Sequence, residues 1–260
     1  MIPDTHIVPA GWGIRPVLFS AGAFTVTSYA FFVTLGFLAA IALYAYNVRG
    51  KSVGNNGLVI AVSAVVGGII GAKVPIWIEN LPQILAHPSA PAVFSGRTIV
   101  GGLIGGALAV YLVKRRLGIT QRLGNYLVPS LAIGIFFGRL GCFFTGCCYG
   151  TPTSLPWGVD FGDHIARHPT QLYEALFAVV LLFVAQSTLA RWEPGRLFSW
   201  FMVVYFAWRF AIEFIRVNPV AMFGLTYYQL ASAFIVVAYL SRLYWGTTVG
   251  RSLNERDATA

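Results

Sequence analysis

The sequence predicts an all-α, polytopic membrane protein of about seven transmembrane helices, with the N-terminus outside and the C-terminus in the cytoplasm. Three observations carry that prediction. Only 10% of the residues are charged and 57% are hydrophobic, with a mean hydropathy of +0.71. A soluble domain carries about 25% charged residues, so this chain cannot cover a water-facing surface of its size. Uncharged apolar runs such as Phe24–Tyr46 reach the roughly 20 residues that a spanning helix needs. Lys and Arg gather in alternate loops, which orients the chain across the bilayer.

The seven expected spans are Phe24–Tyr46, Gly57–Ile78, Ile99–Val113, Tyr126–Phe144, Gln171–Ala190, Leu197–Phe214 and Tyr227–Ser241. The first is too long for a signal-peptide core and has no small-residue cleavage site after it, so it is expected to be retained. The third is short and rich in glycine (Gly101, Gly102, Gly105, Gly106). Small residues let helices approach closely in lipid, so this span is expected to be central. The fourth is expected to be broken by the Gly/Cys segment near its end.

Arg49 and Lys51 follow span one, Lys114, Arg115, Arg116 and Arg122 follow span three, and Arg191 and Arg196 follow span five. The tail adds Arg242, Arg251 and Arg256. These stretches face the cytoplasm by the positive-inside rule. The resulting organisation is an outward N-terminal segment over 1–23 and a transmembrane domain over 24–245. That domain carries outward loops at 79–97 and 145–170, and a cytoplasmic tail covers 246–260. The net charge of +9 is thereby used as a topology signal and does not indicate nucleic acid. No second domain, low-complexity tract or nucleotide loop is expected.

Ionisable side chains inside spans are costly, by roughly 2.5–3.5 kcal/mol on insertion scales, and tend to be functional. Four places stand out: Lys73 late in span two, Arg139 in Gly138-Arg139-Leu140-Gly141, Glu174 at the start of span five, and Arg209 with Glu213 in span six. The last two are i, i+4 on one helix face and can pair. A neutralising pair holding the bundle, and a Lys73 that snorkels to the interface, are the plain alternatives. Arg139 sits among glycines in the span expected to be broken, where irregular backbone is tolerated only around a cavity. Arginine's planar, permanently charged fork suits a phosphate, and a lipid phosphate is the obvious anion at that depth.

The stretch from Gly138 to Gly150 resembles the hallmark segment of the prolipoprotein diacylglyceryl transferases, G-R-x-G-N-F-x-N-G-E-x-x-G. Gly138, Arg139, Gly141, Phe143, Gly146 and Gly150 match it. Further pieces follow in the family's order. Ser28-Tyr29-Ala30 is similar to its W-Y-G, Gly71-Ala72-Lys73 to its G-A-R, and Gly101-Gly102-Leu103-Ile104-Gly105 to its G-G-L-I-G. Arg167-His168-Pro169-Thr170-Gln171-Leu172-Tyr173-Glu174 is nearly its R-H-P-[ST]-Q-L-Y-E, and Trp208 to Arg216 resembles its F-R-x-x-x-E-F-x-R. The resemblance runs over about residues 24–245.

It implies a multi-pass enzyme of the bacterial inner membrane. Such an enzyme moves a diacylglyceryl group from phosphatidylglycerol, or a similar phospholipid, to a cysteine thiol of a lipobox-containing prolipoprotein or another thiol acceptor. It implies no cofactor and no nucleic-acid partner. By the same resemblance Arg139 and Arg209 hold the phosphate, Glu213 orients Arg209, and Tyr29 hydrogen-bonds the headgroup or the acceptor. His168, Gln171 and Glu174 shape the outer mouth. Lys73, Gly102, Cys142, Gly150 and Tyr173 complete the expected substrate-binding set.

Three departures from the pattern matter. Val100 stands where the family usually has a His, Cys142 replaces an Asn, and Cys147 replaces a Glu, with Thr145 in place of a second Asn. Two thiols, Cys142 and Cys147, therefore stand where the family has polar side chains, and Cys147 or Cys148 becomes a candidate catalytic nucleophile that forms a covalent intermediate. They open two further readings: a same-fold paralogue with another acceptor or a thiol-based route, and a non-catalytic lipid-binding or transport protein. The cysteines can also be small packing residues, be redox active, or bind a soft metal with His164 or His168. No resident metal is expected.

Overall fold

The computed structural model describes residues 14–22, 24–51, 54–86 and 98–257. The expected N-terminal outward segment and the loop at 79–97 therefore fall largely outside the described residues. Helices stand at all seven expected positions. We label them, with one short additional helix, α1 (Ser28–Val48), α2 (Gly54–Glu79), α3 (Leu81–Ala86), α4 (Ile99–Leu117), α5 (Gly124–Thr145), α6 (Thr170–Thr188), α7 (Arg196–Ile212) and α8 (Tyr227–Asp257). Among the described residues, five segments are long and apolar enough to cross a membrane: Ser28–Val48, Asn55–Ile78, Gly124–Thr145, Thr170–Arg191 and Arg196–Ile215.

Two expectations are corrected. The first helix begins at Ser28, not Phe24, because Phe24–Thr27 forms a strand β2 paired antiparallel with β1 (Val17–Ala21). The alternation Thr25, Thr27 and the turn at Gly22 (φ 59°) favour a hairpin over another helical turn. The fourth span is not broken before its end. α5 runs unbroken from Gly124 to Thr145 through Pro129, Gly134, Gly138 and Gly141. Arg139 thus stands in regular helix, and the break comes only at Gly146.

That break has a sequence cause. Gly146 takes the left-handed conformation (φ 78°), which glycine adopts without a Cβ clash. Its N–H donates to the Phe143 carbonyl (3.0 Å), and the Cys147 N–H donates to the Cys142 carbonyl (3.1 Å). This pair of bonds is a Schellman motif, which satisfies the last free carbonyls of the helix.

The described chain forms two compact units, one of Met1–Asn47 with Gly124–Ala260 and the other of Val48–Leu123. In the second, α2 and α4 pack backbone to backbone through glycine. A Cβ at Gly105 would stand 2.5 Å from the Gly67 carbonyl oxygen, and one at Gly71 2.5 Å from that of Gly101. The glycines therefore set this approach, as the small-residue pattern predicts. Thr98 caps α4 by accepting from the Gly101 N–H (3.1 Å), and Gly118 (φ 64°) closes it beyond Lys114, Arg115 and Arg116.

In the first unit α5 packs along α6 and α7, and α7 along α8. Ala132, Ala175, Ala178 and Ala185 are buried where these helices meet, and Tyr205, Phe206 and Met202 fill the space between them. The outside is the apolar side. α1 buries only Ser28, Gly36 and Asn47 while Phe31, Leu38, Ile41 and Tyr46 are exposed. That inversion suits hydrocarbon, where polar groups must be satisfied inside the protein. The buried Asn47 obeys the rule by exchanging amide hydrogen bonds with Gln186 (3.2 and 2.9 Å).

Between α5 and α6 the chain forms a small ribbon, β3 (Val159–Asp160) against β4 (Ala166–Arg167), and after α7 a second, β5 (Val220–Met222) against β6 (Leu225–Thr226). α8 continues as helix to Asp257, so the stretch expected as a polar tail is helical over most of its length.

Candidate functional site

Five charged side chains from three helices and one turn meet inside the first unit. Arg139 projects from α5, Glu174 from α6, Arg209 from the end of α7, and Glu213 and Arg216 from the single 3-10 turn that follows it. The Arg139 Nη2 donates to both Glu174 oxygens, at 2.9 Å to Oε1 and 2.7 Å to Oε2. Arg216 bridges the two carboxylates, with Nη1 3.3 Å from Glu174 Oε2 and Nε 3.7 Å from Glu213 Oε2. Arg209 Nη1 lies 2.5 Å from Glu213 Oε2. The order is therefore Arg139, Glu174, Arg216, Glu213, Arg209.

All five are nearly sealed from solvent; the largest side-chain exposure is 9%, at Arg216. Burying an ion costs several kcal/mol unless a partner compensates it. Counted against carboxylates alone, the compensation is incomplete by one positive charge, since three guanidiniums share two carboxylates; the Cys148 thiol beside Arg216 and Arg139 is a further group that can carry negative charge. The second oxygen of Glu213 is already taken, accepting from Asn218 Nδ2 (2.6 Å) and Thr226 Oγ1 (3.0 Å). The Arg209 guanidinium also lies over the Tyr228 ring, 5.4 Å from its centroid.

Several donors in this interior have no hydrogen-bond partner within the described protein. Among them are the Arg139 Nε, the Arg216 Nε and the Trp208 indole N–H. The Tyr205 hydroxyl is within hydrogen-bonding reach of Arg139 and within electrostatic reach of Glu174 and Arg209, and Trp208 stacks on Phe177 (4.4 Å). A buried cation excess with unengaged donors suits an anion, because each N–H or O–H left unmatched carries its full desolvation penalty until an acceptor arrives.

The backbone that holds this network converges on Gly150. Its N–H donates to the His168 carbonyl (2.8 Å), and the Thr151 N–H donates to the Ile215 carbonyl (2.8 Å). A Cβ at Gly150 would stand 2.5 Å from the Ile215 carbonyl oxygen and 2.8 Å from the His168 Cβ. Gly150 thereby ties the ends of α5, α6 and α7 together. Thr170 Oγ1 donates to the Cys148 carbonyl (2.7 Å) and Gln171 Nε2 to the Cys147 carbonyl (2.5 Å), fixing the cysteine turn to the start of α6.

Of the residues singled out from sequence, Arg139, Glu174, Arg209 and Glu213 join one network. Glu174 is corrected: it is 1% exposed and bonded to two arginines, so it does not shape an outer mouth. Gln171 is likewise fully buried. Tyr29, on α1, lies against Gly141, where a Cβ would approach the Tyr29 Cα to 3.4 Å. His168 and Tyr173 form a separate outer group: Trp157 Nε1 donates to the Tyr173 hydroxyl (2.8 Å), which lies 3.3 Å from His168 Nδ1. Lys73, Gly102 and Val100 belong to the α2–α4 unit, where Val100 is buried and Gly102 faces the Gly68 carbonyl.

Sequence reasoning missed Arg216, Asn218, Thr226 and Tyr205 as site residues. Arg216 closed a quoted motif, and Tyr205 precedes Arg209 by one helical turn; those were the available signals. Asn218 and Thr226 lie beyond α7 and gave none.

The thiols of Cys142, Cys147 and Cys148 gather beside this network, their Sγ atoms all within 4.8 Å of one another. Hydrogen bonds from the Cys142 and Cys147 thiols hold the Cys148 thiol well below the ordinary thiol range, with Arg216 and Arg139 adding to the pull. The Cys147 thiol is pushed the opposite way by its hydrogen bonds to Cys142 and Cys148 and by burial.

Comparison with known proteins bears on this arrangement. A family model described as prolipoprotein diacylglyceryl transferase matches residues 16–245. A phosphatidylglycerol–prolipoprotein diacylglyceryl transferase of Clostridium tetani is 35% identical over 218 residues, 79% of this chain and 87% of that protein. One from Clostridium perfringens is 31% identical over 239 residues, 86% of this chain and 92% of that protein. One from Geobacter sulfurreducens is 34% identical over 228 residues, 82% of this chain and 85% of that protein.

Proposed function

We infer the function from one premise: the chain belongs to the prolipoprotein diacylglyceryl transferase family, and is a membrane transferase of lipoprotein biosynthesis. Its reaction is the transfer of a diacylglyceryl group from phosphatidylglycerol to the lipobox cysteine thiol of a prolipoprotein. It works at the outer face of the bacterial inner membrane, as a chain of seven spans with its N-terminus outside and its C-terminus in the cytoplasm.

The observation that supports this most directly is the buried network in which three guanidiniums share two carboxylates. In the transfer, the acceptor sulfur, as thiolate, bonds to the glyceryl carbon that carries the phosphate. The bond from that carbon to the ester oxygen breaks, and its electron pair leaves on glycerol phosphate. Negative charge therefore moves from sulfur to the phosphate as the reaction proceeds. A preorganised cation in a water-poor site stabilises such developing charge more than water does.

Arg139 is placed to receive the phosphate. Its Nη2 is held by Glu174, which fixes the plane of the fork, while its Nε keeps a donor for the phosphate. Arg209 is held by Glu213 in the same way, and Arg216 shares both carboxylates and keeps them in register. Glu174 and Glu213 act as positioning residues. Tyr29 contacts the headgroup or the acceptor, and His168 with Tyr173 lies on the acceptor's approach.

The test is direct. Purified protein is incubated with phosphatidylglycerol labelled in the headgroup glycerol phosphate and with a lipobox peptide. Release of labelled glycerol phosphate with formation of a thioether peptide is the expected result. Tight lipid binding with no release would make the chain a lipid-binding protein instead. Product formed by the wild type but lost in both Cys147→Ala and Cys147→Ser would move the chemistry to a thiol of the enzyme.

A further inference from the structure

The three cysteines are left over from the transfer reaction, and their placement is not accidental packing of scattered residues. Cys142 and Cys147 occupy the two ends of the Schellman motif that closes α5, the positions that this motif brings into side-chain contact. The Cys147 Sγ donates to the Cys142 carbonyl (3.6 Å), which turns it toward Cys142. Cys148 then adopts φ 66°, a left-handed conformation that costs a non-glycine residue of this kind about 1–3 kcal/mol. The conformation brings the third sulfur back to the other two. Among the described residues, this is the one group of three or more His, Cys, Asp or Glu ligand atoms close enough to share an ion.

We propose that Cys142, Cys147 and Cys148 form a three-sulfur site for a thiophilic d10 cation, of the zinc or monovalent copper class. Sulfurs bound about 2.3 Å from a common ion stand about 3.8–4.0 Å apart at tetrahedral or trigonal angles. The present limit of 4.8 Å is closed by less than about 1 Å of side-chain rotation. An all-sulfur donor set selects soft ions over magnesium or calcium. The site lies past the C-terminal end of a helix, whose carbonyl dipoles favour a cation. Three thiolates around a divalent ion leave one net negative charge, and Arg139 and Arg216 are the cations that face it. Access is present, since Cys148 is exposed.

The histidines are not part of it. His164 takes a left-handed turn (φ 59°) and pairs with Asp160 (3.6 Å), and His168 is engaged with Tyr173. The site reads instead as sulfur alone, with the fourth position of a tetrahedral ion open to solvent through Cys148. Gln171 lines the inner side, its Nε2 on the Cys147 carbonyl and its buried Oε1 without a partner in the described protein.

The experiment titrates the full-length, reduced protein in detergent with Cd2+ alone and follows thiolate-to-metal charge-transfer absorption. One equivalent of Cd2+ with that absorption is expected. Zn2+ should displace a chromophoric chelator's metal at the same stoichiometry. Cys142→Ser, Cys147→Ser and Cys148→Ser should each weaken binding by more than about 100-fold, beyond the 10–100-fold typical of a lost outer-shell contact. His164→Ala should change nothing. Folding of each variant is checked by circular dichroism. For any variant that fails to fold, Cd2+ protection of the wild-type thiols against maleimide, read by mass spectrometry, gives the answer: all three must be protected together. Absence of the absorption, unprotected thiols, or equal affinity in a folded Cys148→Ser variant would overturn the site. None of these readouts depends on transferase turnover.

Discussion

One nitrogen of Arg139 holds both oxygens of Glu174, at 2.9 and 2.7 Å, and the same carboxylate receives Arg216 at 3.3 Å. A carboxylate from α6 thus fixes an arginine from α5 and another from the turn after α7. Glu174 is the joint between the helices as much as the counter-ion of either arginine.

Removing that joint leaves two guanidiniums buried with one carboxylate fewer. Breaking a buried pair from one side costs about 3–5 kcal/mol. Glu174→Ala should therefore lower thermal stability in detergent by an amount of that order, and Glu174→Gln by less, because the amide oxygen still accepts. A loss under about 1 kcal/mol for the alanine variant would show that the helices are joined elsewhere.

Arg139→Ala should fold, since Glu174 keeps Arg216, and yet release no glycerol phosphate. Arg139→Lys should retain charge but lose the fork. A single stabilising donor in a site of this kind is worth about 100- to 1000-fold in kcat. Turnover of the lysine variant within about threefold of wild type would take Arg139 out of the mechanism.

Gly150→Ala places a methyl group 2.5 Å from the Ile215 carbonyl oxygen. The backbone on one side must move, at about 1–3 kcal/mol for an overpacked position. Because that backbone carries Glu213 and Arg216, turnover should fall together with thermal stability. Unchanged stability would mean that the close approach relaxes freely.

Gly105→Val tests the other unit. Its side chain would meet the Gly67 carbonyl and the Gly71 backbone, so α2 and α4 must part. We expect faster proteolysis within residues 48–123, with cleavage in 124–257 unaffected in its order of appearance. An unaltered digestion pattern would count against backbone contact as the basis of this pair.

The cysteine turn carries a pH prediction. The Cys148 thiol is held below the ordinary thiol range and Cys147 above it. A depressed value keeps the thiolate present as pH falls, so Cys148 should alkylate at pH values where a free cysteine does not. Cys147 should alkylate only at pH values above those for a free cysteine. Mass-spectrometric mapping of alkylation against pH decides this, and matching profiles for the two would contradict it.

What the sequence by itself determined is local or compositional. The helical positions follow from runs of apolar residues, and glycines at helical spacing announce that the third span approaches a neighbour closely, while only the structure names that neighbour as α2. The Arg209–Glu213 pair follows from an i, i+4 offset on one helix. Each of these depends on residues near one another in the chain, where spacing fixes geometry. Tertiary structure alone decided the partners of Arg139. Glu174 is 35 residues away and Arg216 a further 42, so only the packing of α5, α6 and α7 brings them together. The same packing turned Glu174 inward and recruited Thr226 from beyond the next turn. Even the cysteines divide this way. Gly146 in the sequence dictates the motif that joins Cys142 to Cys147, but the third sulfur arrives through a backbone conformation at Cys148 that residue type does not announce. A buried charge must find its opposite, but the sequence does not say which one, because that choice is made by whichever helices the apolar surfaces bring into contact.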